Sequence, residues 1–102
     1  MEQYELFYKN VYLGLLTVNG AGQHCYLPDP AGVAAVREET MLPQALAQGT
    51  GGFGLPIPFL ENRLKNLRRW GLEEINYQTD WFVLRRKREE SAEKEEDDAR
   101  FQ

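Results

Sequence analysis

The chain has 102 residues with 12 basic and 16 acidic side chains, so its formal net charge is −4. This length limits the protein to one domain, and 42% hydrophobic residues supply a small core. The mild acidity argues against nucleic-acid partners and anionic membranes, and no apolar run is long enough to span a bilayer. The single cysteine, Cys25, excludes an internal disulfide and a cysteine-rich zinc site. Without a signal-peptide pattern at residues 1–5, we expect a cytoplasmic protein.

The first 27 residues have the pattern of a three-stranded antiparallel meander. Tyrosine, valine, leucine and phenylalanine dominate residues 3–8 and 11–18, and residues 23–27 follow the same preference. These residue types suit a pleated, half-buried surface. Pro28-Asp29-Pro30 ends the meander, because proline cannot donate to a sheet ladder.

Two turns are expected within this meander. Lys9-Asn10 forms a short turn, since asparagine tolerates left-handed backbone. Asn19-Gly20 is the stronger signal, because Asn-Gly between apolar strands favours a type I′ turn, in which both central residues need positive φ. The sequence therefore predicts a type I′ hairpin at Asn19-Gly20.

The best-defined helix is predicted over residues 58–70. Pro58 suits its first position, and Gly71 suits the position just after its end. Leu72 can then contact the last turn of the helix in a Schellman motif. An apolar stripe at helical spacing consists of Leu60, Leu64 and Leu67.

Shorter elements complete the fold. Residues 31–39 and 41–48 contain helix-forming residues, and residues 74–77 and 81–86 have the pattern of a terminal hairpin. We therefore predict an α+β fold, in which an antiparallel sheet of about five strands carries one main helix and one or two short helices on one face.

A charged tail is expected after this domain. From residue 85 to residue 100, 13 of 16 side chains are charged. Such a stretch cannot bury enough apolar surface to offset its ordering entropy. The sequence thus predicts a single domain over residues 1–87 and a disordered tail over residues 88–102.

The sequence contains no recognisable catalytic constellation. His24-Cys25 is the one histidine–cysteine pair, and neighbours on a strand point to opposite faces. A metal site needs three or four ligands, and no other histidine or cysteine exists. We therefore expect a protein that is not an enzyme and has neither cofactor nor metal.

A glycine-rich loop is one candidate binding element. Gly49, Gly51 and Gly54 match the spacing G-x-G-x-x-G, and Gly52 lies between them. This pattern binds phosphates where it joins a strand to the start of a helix, whereas here Leu-Pro-Ile-Pro follows it. A mobile connection and a loop for an anionic or phosphorylated ligand both remain open.

The polar side of the 58–70 helix is the second candidate. Lys65, Arg68 and Arg69 lie near one another there, with Arg63 beside them and Trp70 at the end. Arginine and tryptophan are enriched in interface hot spots. This helix end is predicted to bind a protein partner, with a solvated helix face as the alternative.

Several short segments resemble the N-terminal subdomain of HipA-type toxin kinases. The segments are VYLGLL at 11–16, CYLPD at 25–29, MLP at 41–43, PFLENRL at 58–64, RRWGL at 68–72 and DWF at 80–82. The helix departs from the family, because residues 62–65 read Asn-Arg-Leu-Lys where the family has Leu-Leu-Pro-Glu. The kinase core and its catalytic motifs are absent from this sequence. The resemblance implies a free-standing, non-catalytic subdomain of a toxin–antitoxin system that binds a kinase-like toxin.

Overall fold

The computed structural model describes residues 1–77 and 80–87. The strands are β1 (Glu2–Tyr8), β2 (Val11–Val18), β3 (His24–Pro28), β4 (Glu74–Asn76) and β5 (Phe82–Arg86). The helices are α1 (Pro30–Arg37), α2 (Gln44–Gln48) and α3 (Pro58–Arg69). Over the described residues, the strands form one antiparallel sheet in the order β3-β2-β1-β5-β4. This confirms the predicted α+β fold, while the predicted tail at 88–102 lies outside the described residues.

One face of the sheet packs against the helices, and we call it the covered face. Along β1 the buried side chains Tyr4, Leu6 and Tyr8 alternate with the half-buried Glu5 and Phe7. The period of two places the first three on the covered face. There they join a single core cluster that also contains Leu16, Tyr26, Val33, Val36, Leu46, Leu60, Leu64, Leu67 and Leu84.

Close backbone contact holds α1 against the sheet. A Cβ at Gly32 would overlap the carbonyl oxygen of Tyr12 in β2, so only glycine allows this approach. The carboxylate of Asp29 accepts a hydrogen bond from the Gly32 amide at 3.0 Å and caps the helix. The chain therefore turns directly from β3 into a helix that lies on β2.

The turn prediction at Asn19-Gly20 is wrong. Neither residue has positive φ, and the left-handed residues are instead Lys9 (φ 48°) and Asn10 (φ 71°), as a type I′ turn requires. The Asn19 carboxamide oxygen accepts the amides of Ala21 (3.0 Å) and Gln23 (2.9 Å), which produces a longer loop. Side-chain hydrogen bonding of asparagine to its own loop thus outweighs the two-residue turn.

The helical segments follow the predicted order with changed ends. α3 ends in a Schellman motif, where the Leu72 amide donates to the Leu67 carbonyl at 2.9 Å and Gly71 has φ 62°. α2 begins at Gln44 rather than at 41, because the residue before Pro43 is pushed out of helical backbone. No helix among the described residues is long and apolar enough to cross a membrane.

Candidate functional site

The solvent side of α3 carries the predicted basic residues. Lys65, Arg68 and Arg69 are exposed, whereas the leucine stripe of the same helix is buried, as its period predicted. Trp70 follows directly and is 67% exposed. We call Lys65, Arg68, Arg69 and Trp70 the basic helix end. Lys65, Arg68 and Arg69 share one side of α3 because they are three and four residues apart, and Trp70 follows at the end of the helix.

The three cations of the basic helix end differ in their partners. Arg68 forms an ion pair with Glu2 at 2.6 Å, and the Tyr4 hydroxyl donates to the same carboxylate. These two hydrogen bonds, Tyr4 first, lower the pKa of Glu2. Lys65 and Arg69 form no ion pair with any described residue. Two of the three positive charges are therefore uncompensated among the described residues.

The backbone fixes the position of Trp70. Its amide donates to the Asn66 carbonyl at 3.2 Å, and the Gly71 amide donates to the Arg68 carbonyl at 3.2 Å. The Schellman motif thus holds the residue on the last turn of a helix that is anchored by its buried leucines. A large, exposed aromatic side chain is presented on rigid backbone.

Arg63 does not belong to the basic helix end, contrary to the prediction that it flanks these cations. It is only 5% exposed and lies on the buried side of α3. Its guanidinium stacks over Phe59 at 4.0 Å and Tyr77 at 4.7 Å and pairs with the carboxylate of Asp80. The planar guanidinium makes this cation–aromatic packing favourable, so Arg63 fastens α3 to the β4–β5 hairpin.

The glycine-rich loop closes the outer edge of β3. His24 and Gly54 exchange two backbone hydrogen bonds of 2.9 Å, and the Thr50 amide donates to Tyr26 at 3.2 Å. The Thr50 hydroxyl also accepts the Tyr26 amide at 3.0 Å. These bonds occupy backbone N–H and C=O groups at the edge of β3, which would otherwise be free to pair with a strand of another molecule.

The same bonds limit what this loop can offer to an anion. The amides of Gly49, Thr50 and Gly54 already donate within the chain. Gly51 is exposed and Gly52 is partly exposed, with φ of 74° and 159°, and a Cβ added at either residue would meet no atom within 4 Å. Anion binding at Gly49, Gly51, Gly52 and Gly54 stays a prediction.

His24 and Cys25 lie on opposite faces of β3, as expected for strand neighbours. The buried His24 ring accepts the Ile57 amide through Nδ1 at 3.1 Å, and burial lowers the pKa of the imidazole. The histidine thereby ties the segment before α3 to β3. No group of three or more potential metal ligands occurs within residues 1–77 and 80–87.

Sequence reasoning did not single out Trp81. This side chain is 62% exposed and lies beside a groove of about 530 Å³, which Lys9, Tyr77 and Val83 also line. The Lys9 ammonium lies 5.3 Å from the Trp81 ring and 3.1 Å from the Glu39 carboxylate. A tryptophan in a hairpin turn was the available signal, because tryptophan is enriched at interfaces.

Comparison with protein-family models, with curated proteins and with solved structures found no match for this chain.

Proposed function

We propose that the protein is a small, non-catalytic interaction module that regulates a partner protein through its basic helix end. The observation that carries the proposal is the position of Trp70, 67% exposed and beside Arg69, which has no ion-pair partner among the described residues. Tryptophan and arginine are the side chains that contribute most to interface hot spots. The matching partner surface is acidic and offers an apolar pocket for the indole ring.

Preorganisation supports this choice of surface. The helix is anchored by buried leucines, and its end is closed by hydrogen bonds at Gly71 and Leu72. A partner would order the side chains of Arg69 and Trp70 without ordering the backbone, which reduces the entropic cost of binding. Arg68 contributes less, because Glu2 already neutralises part of its charge.

The resemblance to the HipA-type N-terminal subdomain indicates the class of partner. Under the proposal, the partner is a kinase-like toxin, and the protein is a toxin–antitoxin component that acts by binding. The alternative is a domain for a small anionic ligand at the glycine-rich loop. That alternative has less support, because three amides of the loop already donate to Ala45, Tyr26 and His24.

The test uses a matched pair of charge reversals. Arg69→Glu changes the last turn of α3, and Arg37→Glu makes the same change in the last turn of α1. Both arginines are exposed and unpaired within the described part of the chain, so both reversals disturb the helix dipole alike. Trp70→Ala removes the indole without changing charge.

The experiment is affinity capture of the tagged full-length chain from its source cells, followed by titration with the purified partner. We expect the wild type and Arg37→Glu to bind the same protein with equal Kd. Arg69→Glu and Trp70→Ala should each weaken binding at least about tenfold, as expected for hot-spot residues. Equal affinity of all four proteins would contradict the assignment of this surface. Tight binding of a phosphorylated metabolite, lost in Gly51→Val, would favour the alternative.

A further inference from the structure

The negative charge of this chain is concentrated in residues 88–102. Seven of the 16 acidic side chains lie there, together with three of the 12 basic ones, so this stretch has a net charge of −4. The formal net charge of the whole chain is also −4, and residues 1–87 are therefore neutral overall. All seven carboxylates fall within residues 89–98, which we call the acidic segment. A dense run of carboxylates attracts the unpaired cations within its reach.

The chain leaves the sheet beside the basic helix end. The Lys87 amide donates to the Gln3 carbonyl at 2.9 Å, which fixes the start of the charged stretch at the beginning of β1. The next residue of β1, Glu2, forms the ion pair with Arg68 at 2.6 Å. The end of β5 and the last turn of α3 are therefore bound to adjacent residues of β1.

Two adjoining surface depressions lead from this exit to α3. Met1 and Glu2 line both of them. One depression, of about 140 Å³, is also lined by Arg86 and Lys87, and the other, of about 440 Å³, is also lined by Arg68. Cationic side chains thus line the surface between the chain exit and the basic helix end.

The acidic segment is long enough to reach the whole basic helix end. Residues 88–98 span up to about 36 Å when extended, at about 3.3 Å per residue. Lys65 and Arg69 lie roughly 6 Å apart along α3, and neither forms an ion pair with any described residue. The comparable arginine at the end of α1, Arg37, is followed directly by Glu38 and Glu39. The basic helix end therefore offers the acidic segment more uncompensated charge than the end of α1 does.

We infer that the acidic segment lies across the basic helix end of its own chain and pairs with Lys65 and Arg69. Within one chain, a short connection gives an effective concentration of millimolar order, so that weak, exposed ion pairs are sufficient for the contact. The segment then occupies the cations to which an acidic partner would bind. This regulatory consequence rests on the proposed function, because the partner has to displace the segment.

Carbodiimide coupling tests the contact in the absence of any partner. The reagent joins a carboxylate to a lysine amine where the two groups already touch, and Lys65 is the lysine of the basic helix end. The Lys9–Glu39 ion pair at 3.1 Å is the internal standard. We expect mass spectrometry to find Lys65 linked to residues 93–98 at low salt. An equimolar mixture of isotope-labelled and unlabelled chains separates links within one chain from links between two copies.

A matched pair of substitutions shows whether charge directs this link. Arg69→Gln keeps Lys65 and every carboxylate of the acidic segment, but removes the neighbouring cation and should lower the yield of the link at least about twofold. Arg37→Gln removes the same charge from α1 and should leave the yield unchanged. The inference would be overturned by a wild type without the Lys65 link, by equal yields in all three proteins, or by links that form only between copies.

A binding measurement shows whether the segment occupies the surface. The probe is a fluorescein-labelled peptide of residues 88–102. A quadruple variant exchanges four adjacent carboxylates for amides: Glu95→Gln, Glu96→Gln, Asp97→Asn and Asp98→Asn. It should bind the probe at least about threefold more tightly than the wild type, because its own segment no longer competes. The control, Lys94→Gln with Arg100→Gln, should not bind more tightly than the wild type.

The outcomes separate this inference from the proposed function. Equal probe binding by the wild type and the quadruple variant would overturn the inference and would leave the basic helix end as the partner surface. Equal partner binding by the wild type and Arg69→Glu would contradict the proposed function, whereas the Lys65 link would still establish the contact within the chain.

Discussion

The covered face of this sheet and the face opposite the helices, which we call the open face, are built from the same strands but have different roles. On β2, Leu16 is fully buried beneath the helices, whereas the preceding Leu15 is only half-buried on the open face. On the covered side the buried charge of Arg63 is paired with Asp80, whereas Glu5 on the open side has no ion-pair partner among the described residues. The comparison teaches that residue type alone does not assign a side chain to the core; the helices decide which face stabilises the fold.

The sharpest test of this comparison exchanges each of two adjacent leucines for alanine. Leu16→Ala leaves a cavity under the helices and should lower the free energy of unfolding by about 2–5 kcal/mol. Leu15→Ala removes the same atoms from the open face and should cost less than about 1 kcal/mol. Urea unfolding of the wild type and the two variants measures both losses. Equal losses would show that the two faces contribute alike.

The second test compares the two charges. Asp80→Asn leaves the guanidinium of Arg63 buried without its counter-charge and should cost about 2–3 kcal/mol, below the full value because Asp80 is partly exposed. Glu5→Gln on the open face should change the stability by less than about 0.5 kcal/mol. Melting curves of both variants, with the wild type as reference, give the values. A stable Asp80→Asn protein would mean that the ion pair contributes little.

The third test concerns the approach of α1 to β2. Gly32→Ala places a methyl group against the Tyr12 carbonyl oxygen, which forces the helix away and should cost about 1–3 kcal/mol. Gly20→Ala is the control, because its Cβ would meet no atom within 4 Å and its φ is not positive. We expect the control to retain the wild-type midpoint in urea. Unchanged stability of Gly32→Ala would contradict the close packing of α1.

The smallest expected effect is a dependence of stability on pH. Burial lowers the pKa of His24 below the 6.5 of the unfolded chain, so the unfolded state binds the proton more readily. The contribution of this group is complete above pH 6.5 and decreases as the pH falls from 6.5 toward the lower folded pKa. His24→Asn, whose side-chain oxygen can still accept the Ile57 amide, should flatten the curve in this window. Denaturant unfolding at pH 5.5, 6.5 and 7.5 measures how the free energy of unfolding depends on pH. Identical pH dependence in the wild type and His24→Asn would show that other groups cause it.

Much of the local structure was predictable because it depends on neighbouring residues. The leucine stripe of α3 and the glycine at its end predicted the helix and its Schellman motif. The exposure of Lys65, Arg68 and Arg69 followed from the same period. The turn prediction at Asn19-Gly20 was wrong even though a turn is a local feature. The Asn19 side chain accepts two amides of its own loop, and this interaction replaces the type I′ turn.

The sequence by itself determined the strands, the helices and the face that α3 buries. Only the tertiary structure decided that β5 joins the free edge of β1, that the glycine-rich loop closes the edge of β3, and that Arg63 turns inward to Asp80. These contacts join residues 17 or more positions apart in the chain, and no local periodicity encodes them. They depend on which edges and buried charges remain unsatisfied once the elements assemble, because unpaired edge groups and lone buried charges are costly.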